Sequence, residues 1–120
     1  MRGANKITHI YFVKGNSYKV IGNGAFNKCS SLIQITLPNT IETIGNEAFL
    51  ECFSLTTINL PDTLKEIGSK AFSGSTVQTM QVAINELPSG LNKLGQGAFS
   101  NGGPNIIITH LPKNITELNG

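Results

Sequence analysis

The chain is poor in the residue types on which most catalytic and metal sites depend. Among its 120 residues are one aspartate, Asp62, and two histidines, His9 and His110, which lie near opposite ends of the sequence. The two cysteines, Cys29 and Cys52, form no Cys-x-x-Cys pair and no Cys/His cluster. A structural zinc site needs four such ligands close together, so the sequence predicts neither a metal site nor a cofactor.

Charge and long apolar stretches are also scarce. Charged residues make up 13% of the chain, about half of the roughly 25% that is usual in soluble domains. The net charge is +2 and the nine Lys and Arg residues form no basic run, which argues against nucleic acid as a partner. The longest apolar run is Ile10–Val13, far short of the roughly 20 residues that span a bilayer, so we predict no membrane insertion. The first residues carry no hydrophobic segment that would serve as a signal peptide.

The surface must therefore be covered largely by neutral residues, namely Asn, Thr, Ser, Gln and Gly. Such side chains form hydrogen bonds without the desolvation of a charge, which suits a surface that faces protein or glycan. They are equally the residues that a turn-rich, strand-rich coil favours. Composition alone leaves both interpretations open.

Two short motifs recur along the chain in a constant phase. Copies of Ile-Gly-x-x-Ala-Phe, the last with Leu in place of Ile, begin at Ile21, Ile44, Ile67 and Leu94, with spacings of 23, 23 and 27 residues. Copies of Leu-Pro begin at Leu37, Leu60, Leu87 and Leu111. Seven residues after these leucines come Ile44, Ile67 and Leu94 of the first series, and then Leu118. A period in the low twenties is that of a leucine-rich repeat, in which one repeat alone cannot bury its apolar face.

The repeat unit predicts a stacked parallel sheet. Ile35 and Leu37 alternate with Gln34 and Thr36, which is the period of a strand with one buried face. We therefore predict a leucine-rich repeat solenoid, an α/β superhelix with a parallel β-sheet on one face and turns with short helical or 3₁₀ segments on the other. The glycine of each Ile-Gly is expected to adopt a backbone conformation that a Cβ would penalise. Strands about 4.8 Å apart should align the repeated phenylalanines in one continuous column: Phe26, Phe49, Phe72 and Phe99.

We expect a single leucine-rich repeat domain over residues 1–120, with repeats at about 7–31, 32–54, 55–76 and 77–105 and a partial one at 106–120. Four extra residues fall at Ala83–Glu86, and the first repeat is two residues longer through Gly15-Asn16. The last repeat has no polar cap, and an uncapped end exposes strand edge and core side chains. The chain is therefore expected either to be part of a longer array or to self-associate through its uncapped ends.

The unit Leu-x-x-Ile-x-Leu-Pro-x-x-Leu-x-x-Ile-Gly-x-x-Ala-Phe-x-x-Cys resembles the BspA-type leucine-rich repeat. Leu32–Cys52 and Leu55–Ser75 match it at nearly every position, and looser copies cover almost the whole chain. The resemblance implies a cell-surface or secreted protein of bacteria or protist parasites, with a role in adhesion to matrix proteins such as fibronectin and fibrinogen or to other cells. The protein ligand is left open, because repeats of one type serve many partners.

Catalytic arrangements are not favoured by the spacing. Four stacked coils would separate His9 from His110 by about 20 Å, whereas a Ser-His-Asp triad needs contacts near 3 Å. Glu42 and Glu66 sit close to one repeat position, and a glycosidase-like pair is the catalytic alternative to solvated turn charges. Cys29 and Cys52 share a repeat position, which indicates small buried thiols in a core column, with an inter-coil disulfide as the alternative. We predict that the chain is not an enzyme.

The exposed face of the predicted sheet is the candidate partner site. Its outward residues form two rows, His9, Gln34, Thr57, Thr79 and Tyr11, Thr36, Asn59, Gln81, His110, although Ile108 and Thr109 are both possible inward residues of the last strand. Rigid solenoid faces of this kind bind other macromolecules. The leading hypothesis is a cell-surface adhesion module with a protein or glycoprotein ligand. The alternative is a structural spacer that displays a binding domain located elsewhere in a longer protein.

Overall fold

The structure, a computed structural model, describes residues 6–74, 88–99 and 117–118. Within them lie eight two-residue strands: β1 (His9–Ile10), β2 (Val20–Ile21), β3 (Gln34–Ile35), β4 (Thr43–Ile44), β5 (Thr57–Ile58), β6 (Glu66–Ile67), β7 (Lys93–Leu94) and β8 (Glu117–Leu118). We number the coils so that coil 1 carries β1 and β2, coil 2 carries β3 and β4, and coil 3 carries β5 and β6. Strands β7 and β8 belong to coils 4 and 5.

Every pairing between these strands is parallel and joins neighbouring coils. The first sheet has the order β1-β3-β5 and the second the order β2-β4-β6-β7-β8. The first sheet aligns His9 with Gln34 and Gln34 with Thr57, as the sequence predicts. The predicted solenoid is therefore confirmed. The second sheet was not foreseen, because the buried residues beside it, such as Ile41 and Ile44, lie three positions apart and do not alternate.

The core is a set of columns that run across the coils. The buried side chains include Leu32, Ile35, Leu37, Ile41, Ile44, Phe49, Leu55, Leu64, Ile67 and Phe72. The phenylalanine column is confirmed: ring centroids of Phe26, Phe49, Phe72 and Phe99 follow one another at 5.3, 5.2 and 5.3 Å with nearly parallel planes. Offset or parallel ring pairs at these distances add to the burial of the rings themselves.

Three of the repeated glycines, Gly45, Gly68 and Gly95, are required by close packing and not by an unusual backbone. A Cβ on Gly68 would lie 2.5 Å from the main-chain nitrogen of Asn46, and one on Gly45 would lie 2.7 Å from that of Asn23. Neither residue has a φ in the left-handed region. The expectation that these glycines adopt a conformation closed to other residues is therefore wrong, and the physical reason is contact with the preceding coil.

The side of each coil that follows the glycine is built from turns. In the residues described, the predicted short helical or 3₁₀ segments are replaced by turns in which alternate N–H groups point in different directions. The Ala25 and Asn27 N–H groups bond three residues back in their own coil, whereas those of Gly24 and Phe26 bond to coil 2. Left-handed backbone recurs at Gly24, Glu47, Lys70 and Gly97, with φ of 65, 59, 56 and 65°. Because every second N–H group in these turns donates to the next coil, the consecutive hydrogen bonds that a helix requires do not form.

Candidate binding groove on the first sheet

The structure brings together three of the predicted face residues at the end of the first sheet. Tyr11, Thr36 and Asn59, from coils 1, 2 and 3, line one groove of about 460 Å³. His9 and Gln34 are paired in register one position from the groove, and the backbone of Thr57 continues that row. Thr79, Gln81 and His110, like Ala83–Glu86, lie outside the described residues.

The groove owes one wall to the extra residues of the first repeat. Its lining consists of Tyr11, Phe12, Val13, Lys14, Gly15, Asn16, Thr36, Leu37, Pro38, Asn39 and Asn59. Gly15 has a φ of 89°, a conformation that residues with a Cβ rarely adopt. This turn lets the strand-end segment of coil 1 stand beside Pro38 and Asn39 of coil 2. The irregular repeat, rather than the regular face, creates the concave site.

The groove presents apolar surface with little charge. Tyr11 and Val13 are 73% and 68% exposed, and the Tyr11 ring stacks on that of His9 with centroids 6.3 Å apart. Lys14 is the one charged side chain among the lining residues. Concave sites of about 300–1,000 Å³ that combine apolar walls with a few polar groups are typical ligand sites, and exposed tyrosines are frequent anchors of protein interfaces.

Asn59 has a structural contact that the sequence did not reveal. Its Oδ1 accepts a hydrogen bond from the Leu37 N–H at 2.6 Å, and its Nδ2 donates to the Leu37 carbonyl at 2.9 Å. The side chain thus continues the pairing of coils 2 and 3 beyond the end of the strands. Its proposed contact with a partner stays a prediction, but its amide is already engaged with the fold. No periodic signal identifies this contact, because the matching residue of coil 2 is Thr36.

The two carboxylates considered for catalysis form ion pairs beside the second sheet, Glu66 within β6 and Glu42 directly before β4. Glu42 contacts Lys19 at 3.1 Å and Lys65 at 3.8 Å, and Glu66 contacts Lys93 at 3.5 Å. The Lys19 hydrogen bond and charge, together with Lys65, lower the pKa of Glu42 from its ordinary 4.5. A carboxylate held ionised in this way is unsuited to act as a general acid near neutral pH. Exposed pairs of this kind contribute little to stability, because water and salt screen them.

The two cysteines are buried and form no disulfide, as predicted for the core column. The Cys52 Sγ donates to the Phe26 carbonyl at 3.1 Å. Burial raises the pKa of Cys52 to about 12, so the thiolate that a metal ligand or nucleophile requires is disfavoured. Within residues 6–74, 88–99 and 117–118, no group of three or more His, Cys, Asp or Glu side chains is placed to hold a metal ion. In the same residues no helix is long and apolar enough to cross a membrane.

Parallel strands in register, apolar columns and a stacked phenylalanine column define the class: the chain is a leucine-rich repeat solenoid. A family model described as the BspA type leucine-rich repeat region matches residues 3–120 in six copies. The chain therefore belongs to the BspA-type leucine-rich repeat family. Proteins built from such repeats are generally interaction modules and generally not enzymes.

Two solved structures share this architecture. The leucine-rich repeat protein TpLRR of T. pallidum superposes with a TM-score of 0.72 and 28% identity over 92% of this chain and 51% of its own. A leucine-rich repeat protein from Bacteroides ovatus has a TM-score of 0.71 and 26% identity over 93% of this chain and 30% of its own. The chain thus spans about half and about a third of these two proteins. A search of curated proteins found no match.

Proposed function

We propose that this chain is a non-enzymatic adhesion module that binds a protein or glycoprotein at a cell surface or outside the cell. The observation that supports this most is the groove at the end of the first sheet, where Tyr11, Thr36 and Asn59 converge from three coils. Its apolar walls, its single cation and the largely exposed Tyr11 side chain match the composition of macromolecular interfaces better than that of a catalytic cleft.

The rigidity of the site favours binding. Three consecutive coils supply its walls, and each is fixed to the next by strand pairing and by the stacked rings of the core. A surface that is ordered before a partner arrives loses little conformational entropy on association. The ionised Glu42, the paired Glu66 and the buried thiols offer no complementary catalytic group within the described residues.

The test is binding to a panel of immobilised matrix proteins, including fibronectin and fibrinogen, with two matched variants. Tyr11→Ala removes the ring at the groove, whereas Val20→Ala removes a comparably exposed apolar side chain from the second sheet of the same coil. We expect Tyr11→Ala to weaken binding by about 2 kcal/mol, as an interface anchor does. Val20→Ala should bind like the parent chain, and circular dichroism would verify that both variants fold.

Equal binding by the parent chain and by Tyr11→Ala would refute the groove as the site. Absence of binding to every panel member would instead favour the spacer function, in which the repeats display a binding domain carried elsewhere in a longer protein.

A further inference from the structure

The fold itself shows how one of its strand ends binds an amide. At the end of β3 the main-chain N–H and C=O of Leu37 are both taken by the carboxamide of Asn59, at 2.6 and 2.9 Å. One planar carboxamide therefore satisfies both the N–H donor and the C=O acceptor of the same residue. These groups lie beyond the last strand pairing, where backbone polar groups need some other partner.

The same backbone position is open one coil earlier. The register of β1 with β3 makes Phe12 the equivalent of Leu37, and the 23-residue period makes Thr36 the equivalent of Asn59. Threonine has no carboxamide. Among the described residues, none forms a hydrogen bond with the main-chain N–H or C=O of Phe12. Phe12 and Thr36 both line the groove.

We propose that the groove binds the carboxamide side chain of an asparagine or glutamine of a partner protein, against the Phe12 backbone, as Asn59 binds Leu37. This inference rests on the proposed function and names the chemistry that the site selects. The carboxamide oxygen accepts from the Phe12 N–H, and the carboxamide nitrogen donates to the Phe12 carbonyl.

A primary carboxamide fits this pair of groups better than a peptide bond does. It carries two N–H donors, one of which lies on the same side as its carbonyl oxygen. A trans peptide unit directs its N–H and C=O to opposite sides, so a single unit cannot serve both groups. The surroundings also suit a neutral ligand, because the walls are the exposed side chains of Tyr11 and Val13 together with Pro38.

The chain offers an internal control for this proposal, the substitution Thr36→Asn. It places a carboxamide where coil 3 has Asn59, so we expect it to occupy the Phe12 backbone and close the site. Thr36→Val keeps the shape of threonine and supplies no carboxamide. Amide hydrogen exchange measured by NMR should show the Phe12 amide exchanging about tenfold more slowly in Thr36→Asn than in the parent or in Thr36→Val.

Ligand specificity is tested by titration of ¹⁵N-labelled protein with two capped tripeptides, up to about 50 mM because contacts of this size bind at millimolar strength. Both are glycine-flanked and blocked as N-methyl amides, one with a central asparagine and the other with the isosteric leucine. We expect a saturable shift of the Phe12 amide resonance with the asparagine peptide alone. Thr36→Asn should abolish that shift, and Val20→Ala, which lies outside the groove on the second sheet, should retain it.

Three results would overturn the inference. The first is a Phe12 amide in the parent chain that exchanges as slowly as the Leu37 amide. The second is an equal shift with both peptides, which would mean recognition of the partner's main chain, and the third is the absence of a saturable shift with either peptide. Failure of the proposed function is a separate result. If Tyr11→Ala abolishes matrix-protein binding while Thr36→Asn leaves it unchanged, the groove is a binding site but carboxamide recognition is refuted.

Discussion

The substitution Gly68→Ala should separate two adjacent coils of the solenoid. A Cβ at this position would lie 2.5 Å from the Asn46 nitrogen and Oδ1 and 2.6 Å from the Gly45 carbonyl carbon. Carbon atoms in non-bonded contact normally lie about 3.5–4.0 Å apart. Two of the three nearest atoms are main chain, so a change of side-chain rotamer cannot relieve the overlap.

The expected loss of stability follows from what must move. The Gly68 N–H donates to the Ile44 carbonyl at 2.8 Å, and the Ser69 N–H donates to the Asn46 Oδ1 at 2.9 Å. A shift of about 1 Å between the coils would weaken both bonds, each contributing about 0.5–1.5 kcal/mol, and strain from overpacking adds about 1–3 kcal/mol. We expect Gly68→Ala to lower the free energy of unfolding by about 2–4 kcal/mol.

Gly22→Ala is the matched control, because it makes the same chemical change in the same repeat column. Nothing lies within 4 Å of a Cβ at Gly22, and its φ is not in the left-handed region. The substitution should be neutral or should stabilise the chain by up to about 1 kcal/mol, since alanine restricts the unfolded state. Urea unfolding followed by circular dichroism gives both differences, provided that the unfolding slopes agree among the three proteins.

The reasoning would be refuted if Gly68→Ala changed the free energy of unfolding by less than about 0.5 kcal/mol, the range of ordinary surface substitutions. An equal loss in Gly22→Ala would also refute it. That result would mean that the column requires glycine for its backbone conformation and not for contact between coils.

Three further predictions concern backbone strain and titration. Lys70→Gly should stabilise the chain in urea unfolding by up to about 1 kcal/mol, because Lys70 has a φ of 56° where other repeats have Gly24 and Gly97; a loss would argue against strain. Cys52 has a pKa raised from 9.0 to about 12. The contribution of the protonated Cys52 thiol to the free energy of unfolding is complete below pH 9 and is lost as the pH rises toward 12. Cys52→Ala should therefore lose less stability than the parent chain between pH 9 and 12, and an equal pH dependence of the two proteins would contradict this. NMR titration should place the pKa of Glu42 below 4.5 and Lys19→Ala should raise it; no change would rule out the ion pair as its cause.

Most of the fold was readable from the sequence because a solenoid repeats each environment. A phenylalanine recurs at the same position of each repeat, which predicts that identical side chains meet across the coils. The rings of Phe26, Phe49, Phe72 and Phe99 do stack in this way. The burial of Cys29 and Cys52 follows from the same argument. A periodic signal predicts what is repeated, since each copy confirms the others.

The site was predicted less completely because it depends on what is not repeated. The face residues Tyr11 and Thr36 were identified from strand alternation, but one wall of the groove they line comes from the longer coil 1 at Gly15-Asn16. The insertion was visible in the sequence, whereas its position beside Pro38 was not. The sequence also did not show that Asn59 binds the Leu37 backbone whereas Thr36 leaves the Phe12 backbone open. That difference could be recognised only from the register between the coils.

The sequence by itself determined the solenoid, its parallel first sheet, its core columns and its family, because these follow from period and from apolar alternation. Only the tertiary structure revealed why Gly68 must be glycine, because a Cβ at this position would overlap Asn46 of the preceding coil. It also decided that turns with left-handed residues, and not helical segments, follow those glycines in the described residues. Both results depend on hydrogen bonds and contacts between residues 22 to 27 positions apart, and local sequence preferences do not encode such long-range contacts.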